Sequence, residues 1–201
     1  MYAQTEERKG QCLMDGFSIV KPTNKDLESG YDLFQRTVRD AFEQEGLGDL
    51  EAEIAAEIEC KQTLLRCALE NPEPDVHFLV AKIDDTVIGT VSYGPCGKDI
   101  RRCTKNQLKE IGELGSLYVL PEYQGRGVGS ALIEAMIRYL HELGIEYFCL
   151  DSGYKHAQGK WLRKFGAPFI VAKDYWGQGG DHIVWLCKVA EYIKTPAPGL
   201  S

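Results

Sequence analysis

A short glycine-rich stretch, residues 124–129, reads Gln-Gly-Arg-Gly-Val-Gly and separates two patterned segments. Before it, residues 111–120 form an apolar, β-rich run. After it, Val128, Leu132, Ala135, Met136, Tyr139 and Leu143 recur at helical spacing, and Gly144 fits the position just past the helix end. Strand, glycine loop and helix in that order constrain the fold strongly. The start of a helix presents backbone N–H groups without intrahelical partners and the positive end of the helix dipole. Glycines let an anion approach that backbone without side chains in the way. The chain is therefore expected to build an α/β fold with an anion site at this turn.

The flanking segments extend the pattern. Residues 17–20 suggest a short strand, followed by Thr23-x-x-Asp26, a capping-box spacing with Asp in place of Glu. Leu27, Tyr31, Phe34, Val38 and Phe42 mark one helix face, broken by Gly46 and Gly48. Leu50, Ile54, Ile58, Leu65 and Leu69 mark a second, ending before Asn71-Pro72. Residues 76–83 and 87–93 read as a hairpin closed by Asp84-Asp85-Thr86. Residues 94–109 are polar and basic and read as a loop. Residues 145–150 suggest a buried strand. Ala157, Trp161, Leu162 and Phe165 suggest a short helix closed by Gly166, and residues 169–175 and 182–189 a last pair of strands. The order β-α-α-β-β-β-α-β-α-β-β predicts one α/β (α+β) domain over residues 16–190. Its central sheet is mixed and mostly antiparallel, flanked by helices. Residues 1–15 are expected to form a flexible arm and residues 191–201 a tail.

Composition narrows the function. A net charge of −7 disfavours nucleic acid as the main partner and favours cationic ligands. No apolar run approaches the roughly 20 residues that span a bilayer, and residues 2–10 lack a signal-peptide core, so a cytoplasmic protein without membrane contact is expected. Seven cysteines occur without a C-x-x-C pair, which points to free thiols and to no metal site; Cys149 and Cys187 fall in apolar runs and are expected in the core.

Two ligands compete for the glycine loop. Gly-x-Gly after a strand, then a helix, a strand and Asp151, imitates a dinucleotide unit for NAD or FAD. Against it, residues 121–124 intervene between strand and glycines, Ser130 holds the third-glycine position, and hairpin strands precede the unit. The spacing Gln-x-x-Gly-x-Gly after Leu117-Tyr118-Val119 and Pro121-Glu122 resembles the acyl-CoA loop of the GNAT superfamily of N-acetyltransferases. The resemblance extends over residues 17–189 through the element order.

That resemblance implies an acetyltransferase using acetyl-CoA as co-substrate. The pyrophosphate would sit on the backbone of Gly125, Arg126, Gly127, Val128, Gly129 and Ser130, with Gln124 leading the motif. The pantetheine arm would run along Leu117, Tyr118 and Val119, and a backbone N–H near Leu117 would polarise the thioester carbonyl. Glu113, eleven residues before Gln124, occupies the place of the glutamate base in histone-type members; Glu110 and Glu122 are weaker options. Many members carry a tyrosine four residues before the helix-closing glycine and an asparagine seven residues earlier still. Here those positions hold Leu162 and Lys155, so the family's leaving-group acid is missing or moved. Tyr154, Tyr175 and His156 are the nearby substitutes, and a thiol pKa of about 8.5 lets a thiolate leave without an acid. The acceptor is expected to be an amine-bearing small molecule or peptide, met by the acids of residues 42–49 and by Asp174, Tyr175, Trp176 and Asp181. A non-catalytic acyl-CoA-binding regulatory domain is the alternative, and a homodimer stays open.

Overall fold

The computed structural model describes residues 15–193. The expected arm falls almost wholly outside them, as does the end of the expected tail. Seven strands form one sheet: β1 (Phe17–Val20), β2 (His77–Ile83), β3 (Thr86–Gly94), β4 (Glu113–Val119), β5 (Tyr147–Ser152), β6 (Ile170–Ala172) and β7 (His182–Lys188). The helices are α1 (Leu27–Gln44), α2 (Glu51–Glu70), α3 (Lys98–Cys103), α4 (Val128–Glu142) and α5 (Lys155–Phe165). The sheet order is β1-β2-β3-β4-β5-β7-β6, and every neighbouring pair is antiparallel except β4–β5. This is the mixed, mostly antiparallel sheet that the sequence predicts.

Side-chain alternation assigns the helices to two layers. A Cβ on Gly89 of β3 would meet Leu132 and Val128, so that face carries α4. Phe148 of β5 packs on Phe165 at 5.8 Å between ring centroids, and the Trp185 indole N–H donates to the Gly166 carbonyl, so α5 covers the same face. On the other face, Tyr118 of β4 meets Phe34 of α1 edge-on at 5.7 Å. Helices α1 and α2 pack tightly there because Gly30 has no Cβ to collide with Leu65. Val38, Phe42, Ile54 and Ile58 form their shared apolar seam, which also receives Tyr118 and Tyr154.

Thr23 and Asp26 start α1 through one turn of 3₁₀ helix. The Asp26 carboxylate accepts the Thr23 backbone N–H at 2.7 Å and the Thr23 hydroxyl at 2.9 Å, and pairs with Lys82 at 2.7 Å. Lys82 and those hydrogen bonds outweigh burial and lower its pKa. The β2–β3 turn, the end of α2 before Asn71 and the helix stops at Gly144 and Gly166 fall where expected; both glycines have positive φ.

Residues 94–109 depart from the expected loop. They contain α3, and Cys96, Ile100 and Leu108 are buried against Cys149 and Val184. Three such side chains among eight residues of Lys, Arg, Asp and Gly are too sparse to show a period, yet they suffice to seal the end of the sheet. Strand β4 also begins at Glu113 rather than residue 111, and β5 runs two residues later than expected, to Ser152. Strand β6 is only three residues long, because residues 173–176 turn away towards the Gly180 tip. Cys149 and Cys187 are buried, as expected; Cys60 and Cys67 are exposed. No described helix is long and apolar enough to cross a membrane.

Candidate active site

The site begins where β4 and β5 part. They pair in parallel only at Glu113 and Cys149, joined by the Cys149 N–H to the Gly112 carbonyl at 2.9 Å. Beyond that point the β5-facing edge of β4 has no strand partner, so backbone groups along Leu117–Val119 lie open except the Val119 carbonyl, which Gln124 takes. The other edge of β4 stays on β3 but slips: Thr90 pairs with Tyr118 and Ser92 with Gly115, two residues against three. The extra residue is a bulge, with Ser116 at φ 46°, a left-handed conformation that a non-glycine residue adopts at a cost. The Thr90 hydroxyl secures it by donating to the Ser116 carbonyl at 2.8 Å. A bulge beside an open strand edge re-aims the following peptide, here that of Leu117.

The glycine loop closes the far end of the opening. Leu120 N–H bonds the Ile88 carbonyl at 3.0 Å, a 3₁₀ turn covers Pro121–Tyr123, and the Gln124 side-chain amide donates to the Val119 carbonyl at 3.1 Å. Gln124 therefore braces the turn. Arg36 of α1 ties the loop down by a two-pronged pair with Glu122, at 2.8 and 2.9 Å. Gly125 and Gly127 have φ of 72° and 87°, which explains glycine at both. The first α4 hydrogen bond runs from Ala131 N–H to the Gly127 carbonyl, so the N–H groups of Val128, Gly129 and Ser130 precede the helical ladder. A Cβ on Gly129 would touch only Val119, at 3.7 Å. The packing of the protein itself therefore does not require glycine there. Arg126 lies with its guanidinium 5.8 Å from the Tyr123 ring centroid.

Glu113 sits at the closed end of the opening, on the face carrying α1, α2 and α3. Its Oε2 accepts the Gly97 N–H at 2.7 Å. Burial, helped by the negative charges of Asp151 and Asp99, pushes its pKa up to about 7; the Gly97 N–H and Lys61 act the other way. A carboxyl poised near neutrality takes and releases protons readily there. Glu110 is an exposed surface group beside Lys109, and Glu122 is committed to Arg36.

Tyr154 stands at the N-terminus of α5 and reaches across to α1, edge-on to Phe42 at 6.0 Å. Burial, with Glu57 and Glu45 adding to it, pushes its pKa up to about 12, so it stays a proton donor. Tyr118, half-buried, donates to Glu57 at 3.2 Å, and burial together with Glu57 pushes its pKa up as well. His156 contributes its backbone N–H to Glu45 at 3.0 Å. Tyr175 lies elsewhere: its hydroxyl donates to Asp99 of α3 at 2.7 Å and its ring stacks on His182 at 5.1 Å. Leu162 is 44% exposed on α5, outside the opening. Sequence reasoning missed Ser116, Thr90 and the Asp151–His182 pair, at 2.8 Å. Only the last left a trace, the alternation of Cys149 and Asp151 towards one face. Among the described residues no group of three or more His, Cys, Asp or Glu is placed to hold a metal ion.

A splayed parallel pair, a bulged open edge and a glycine loop at a helix start thus meet around one opening in a mixed α/β fold. The model of the acetyltransferase (GNAT) family matches residues 31–167, and the chain belongs to that family. An uncharacterized N-acetyltransferase of Archaeoglobus fulgidus is 36% identical over 64 residues, which cover 32% of this chain and 40% of that relative. Among solved structures, a GNAT-family protein from Desulfovibrio desulfuricans superposes with a TM-score of 0.65 at 18% identity, covering 86% of this chain and 99% of the other. The PaiA N-acetyltransferase of Thermoplasma acidophilum, determined with coenzyme A, gives 0.62 at 21% identity over 86% and 98%. At such identities the likeness is one of fold.

Proposed function

We propose that the protein transfers an acetyl group from acetyl-CoA to a primary amine of a small molecule or peptide, directly, in a ternary complex. The observation that carries this reading is the placement of a half-buried carboxyl with a pKa of about 7, Glu113, at the root of an opening whose far end is the glycine loop. The residues fit the co-substrate: N–H groups of residues 125–130 suit its pyrophosphate, and the open edge at Leu117–Val119 suits the amide-bearing pantetheine arm. Acetyl-CoA supplies an activated acyl group. Glu113 takes a proton from the acceptor ammonium so that the free amine attacks the thioester carbonyl, the re-aimed Leu117 N–H stabilises charge developing on the carbonyl oxygen, and as the C–S bond breaks Tyr154 donates to the departing thiolate. The carboxylates Glu45 and Glu57 beside Tyr118 and Tyr154 give a cationic acceptor both charge and aromatic faces. The acidic chain with no membrane-crossing described helix supports a cytoplasmic setting.

Thiol release from acetyl-CoA over a panel of polyamines, aminoglycosides, amino acids and N-terminal peptides tests the reading. At least one amine should give turnover that Glu113→Gln lowers by roughly 10²–10⁴-fold. Coenzyme A binding without turnover on any amine would instead support a regulatory acyl-CoA-binding domain.

A further inference from the structure

A chain of three side chains runs from the surface to the face that holds Glu113. Trp176, 58% exposed in the turn between β6 and β7, donates its indole N–H to His182 Nδ1 at 3.0 Å. His182, with only 5% of its side chain exposed, contacts Asp151 Oδ2 through Nε2 at 2.8 Å. Asp151 is two residues beyond Cys149 on β5, and Cys149 is the register partner of Glu113, so the two carboxyls share one face of adjacent strands.

The hydrogen-bond directions decide the charges. Because Trp176 donates to Nδ1, that nitrogen is an acceptor and carries no proton. The single ring proton is then on Nε2, donated to Asp151. In this arrangement His182 meets Asp151 as a hydrogen-bond donor, and among the described residues no Lys or Arg forms an ion pair with Asp151. Gly153 also matters: a Cβ there would strike the Trp176 indole nitrogen at 2.6 Å, so glycine leaves the indole its seat.

We propose that Trp176, His182 and Asp151 are positioning residues that fix an uncompensated negative charge beside Glu113 and so raise its proton affinity. The role rests on Glu113 acting as a base, but the device itself is independent of any acceptor. The other groups facing Glu113 are the Gly97 N–H and Asp99 from the α3 segment, Lys61 from α2 and the thiols of Cys96 and Cys149. Lys61 is engaged with Glu57 at 3.2 Å, which limits its pull on Glu113. Of the two carboxylates that oppose ionisation of Glu113, Asp151 acts more strongly than Asp99. The relay acts on the stronger one.

The test is a ¹³C NMR titration of the full-length protein labelled at glutamate Cδ, with the Glu113 signal assigned by its loss in Glu113→Gln. Asp151→Asn should lower the Glu113 midpoint by on the order of one pH unit, a tenfold change in proton affinity. Trp176→Phe frees Nδ1 to take a proton, lets His182 form an ion pair with Asp151, and should move the midpoint the same way by a smaller step. Trp176 is exposed, so this variant keeps the assay decisive even where Asp151→Asn fails to fold. A Glu113 midpoint unchanged in folded Trp176→Phe, with His182 still neutral, would overturn the relay. A shifted midpoint in a protein that acetylates no amine would leave the relay standing and refute the proposed reaction instead.

Discussion

Replacing Glu113 with glutamine should make the protein more stable, and more so as pH rises. The folded chain holds the Glu113 carboxyl at about 7 against 4.5 for the free side chain. Between those values the folded state keeps a proton that the unfolded state has released, so stability falls with rising pH. The loss begins near 4.5 and is complete a little above 7. At about 1.4 kcal/mol per pH unit it amounts to about 3 kcal/mol, of which about 2–3 kcal/mol develops between pH 5 and pH 8. Glutamine removes the titration and keeps an oxygen to accept the Gly97 N–H. Urea unfolding of both proteins near pH 5 and near pH 8 isolates the effect, because titrating groups that do not interact with Glu113 cancel in the difference. The variant's advantage should grow by about 2–3 kcal/mol between the two, or roughly 5–10 °C in Tm for a chain of this size. A difference that stays within about 0.5 kcal/mol, the scale of an inert surface change, would refute the claim that the fold buries this carboxyl against its charge.

The same titration has the opposite sign for catalysis. With a productive amine, kcat/KM of the wild type should show an inflection near pH 7 as Glu113 ionises, and Glu113→Gln should lack it. Gly127→Ala forces a Cβ into φ 87° at the N-cap of α4. At about 1–2 kcal/mol of strain, coenzyme A affinity by calorimetry should fall about tenfold, or the free protein should lose that much stability. Tyr154→Phe should lower kcat with KM nearly unchanged, whereas Leu162→Tyr, on an exposed helix face, should leave turnover within about twofold, both read by thiol release.

What the sequence made legible was local. The glycine loop, the Asp84-Asp85 turn and the helix stops at Gly144 and Gly166 are set by backbone needs that only a few residue types meet. Glu113 and the open strand were reachable through family spacing. Other parts depend on distant partners. Ser116 adopts φ 46° without being glycine, because Thr90 from another strand bonds its carbonyl. Helix α3 exists because Cys149 and Val184 lie underneath Ile100. Tyr175 reads as a loop tyrosine near the acceptor, yet Asp99, 76 residues earlier, takes its hydroxyl. Pairing of β5 with β7 rather than β6 is likewise invisible in local pattern, and it is what sets His182 against Asp151.

Strand β4 carries two demands that work against each other. Under the proposed function, its first residue must be shielded from water so that a carboxylate becomes a base at neutral pH, and its last residues must lie open so that a co-substrate can lie along them. A uniformly paired strand would meet only the first demand, and an edge strand only the second. The single parallel pair at Glu113 and Cys149, followed by divergence, satisfies both within seven residues. The apolar seal of Cys96, Ile100 and Leu108 around the paired end makes that divergence affordable, since it keeps water from the carboxyl where the strands still touch. Helix α3 and the loop before it, which also provide the Gly97 N–H, therefore belong to the site as much as the glycine loop does. Weakening that seal, as in Ile100→Ala, should lower the Glu113 midpoint towards 4.5 through water entry alone, with Asp151 and His182 still in place.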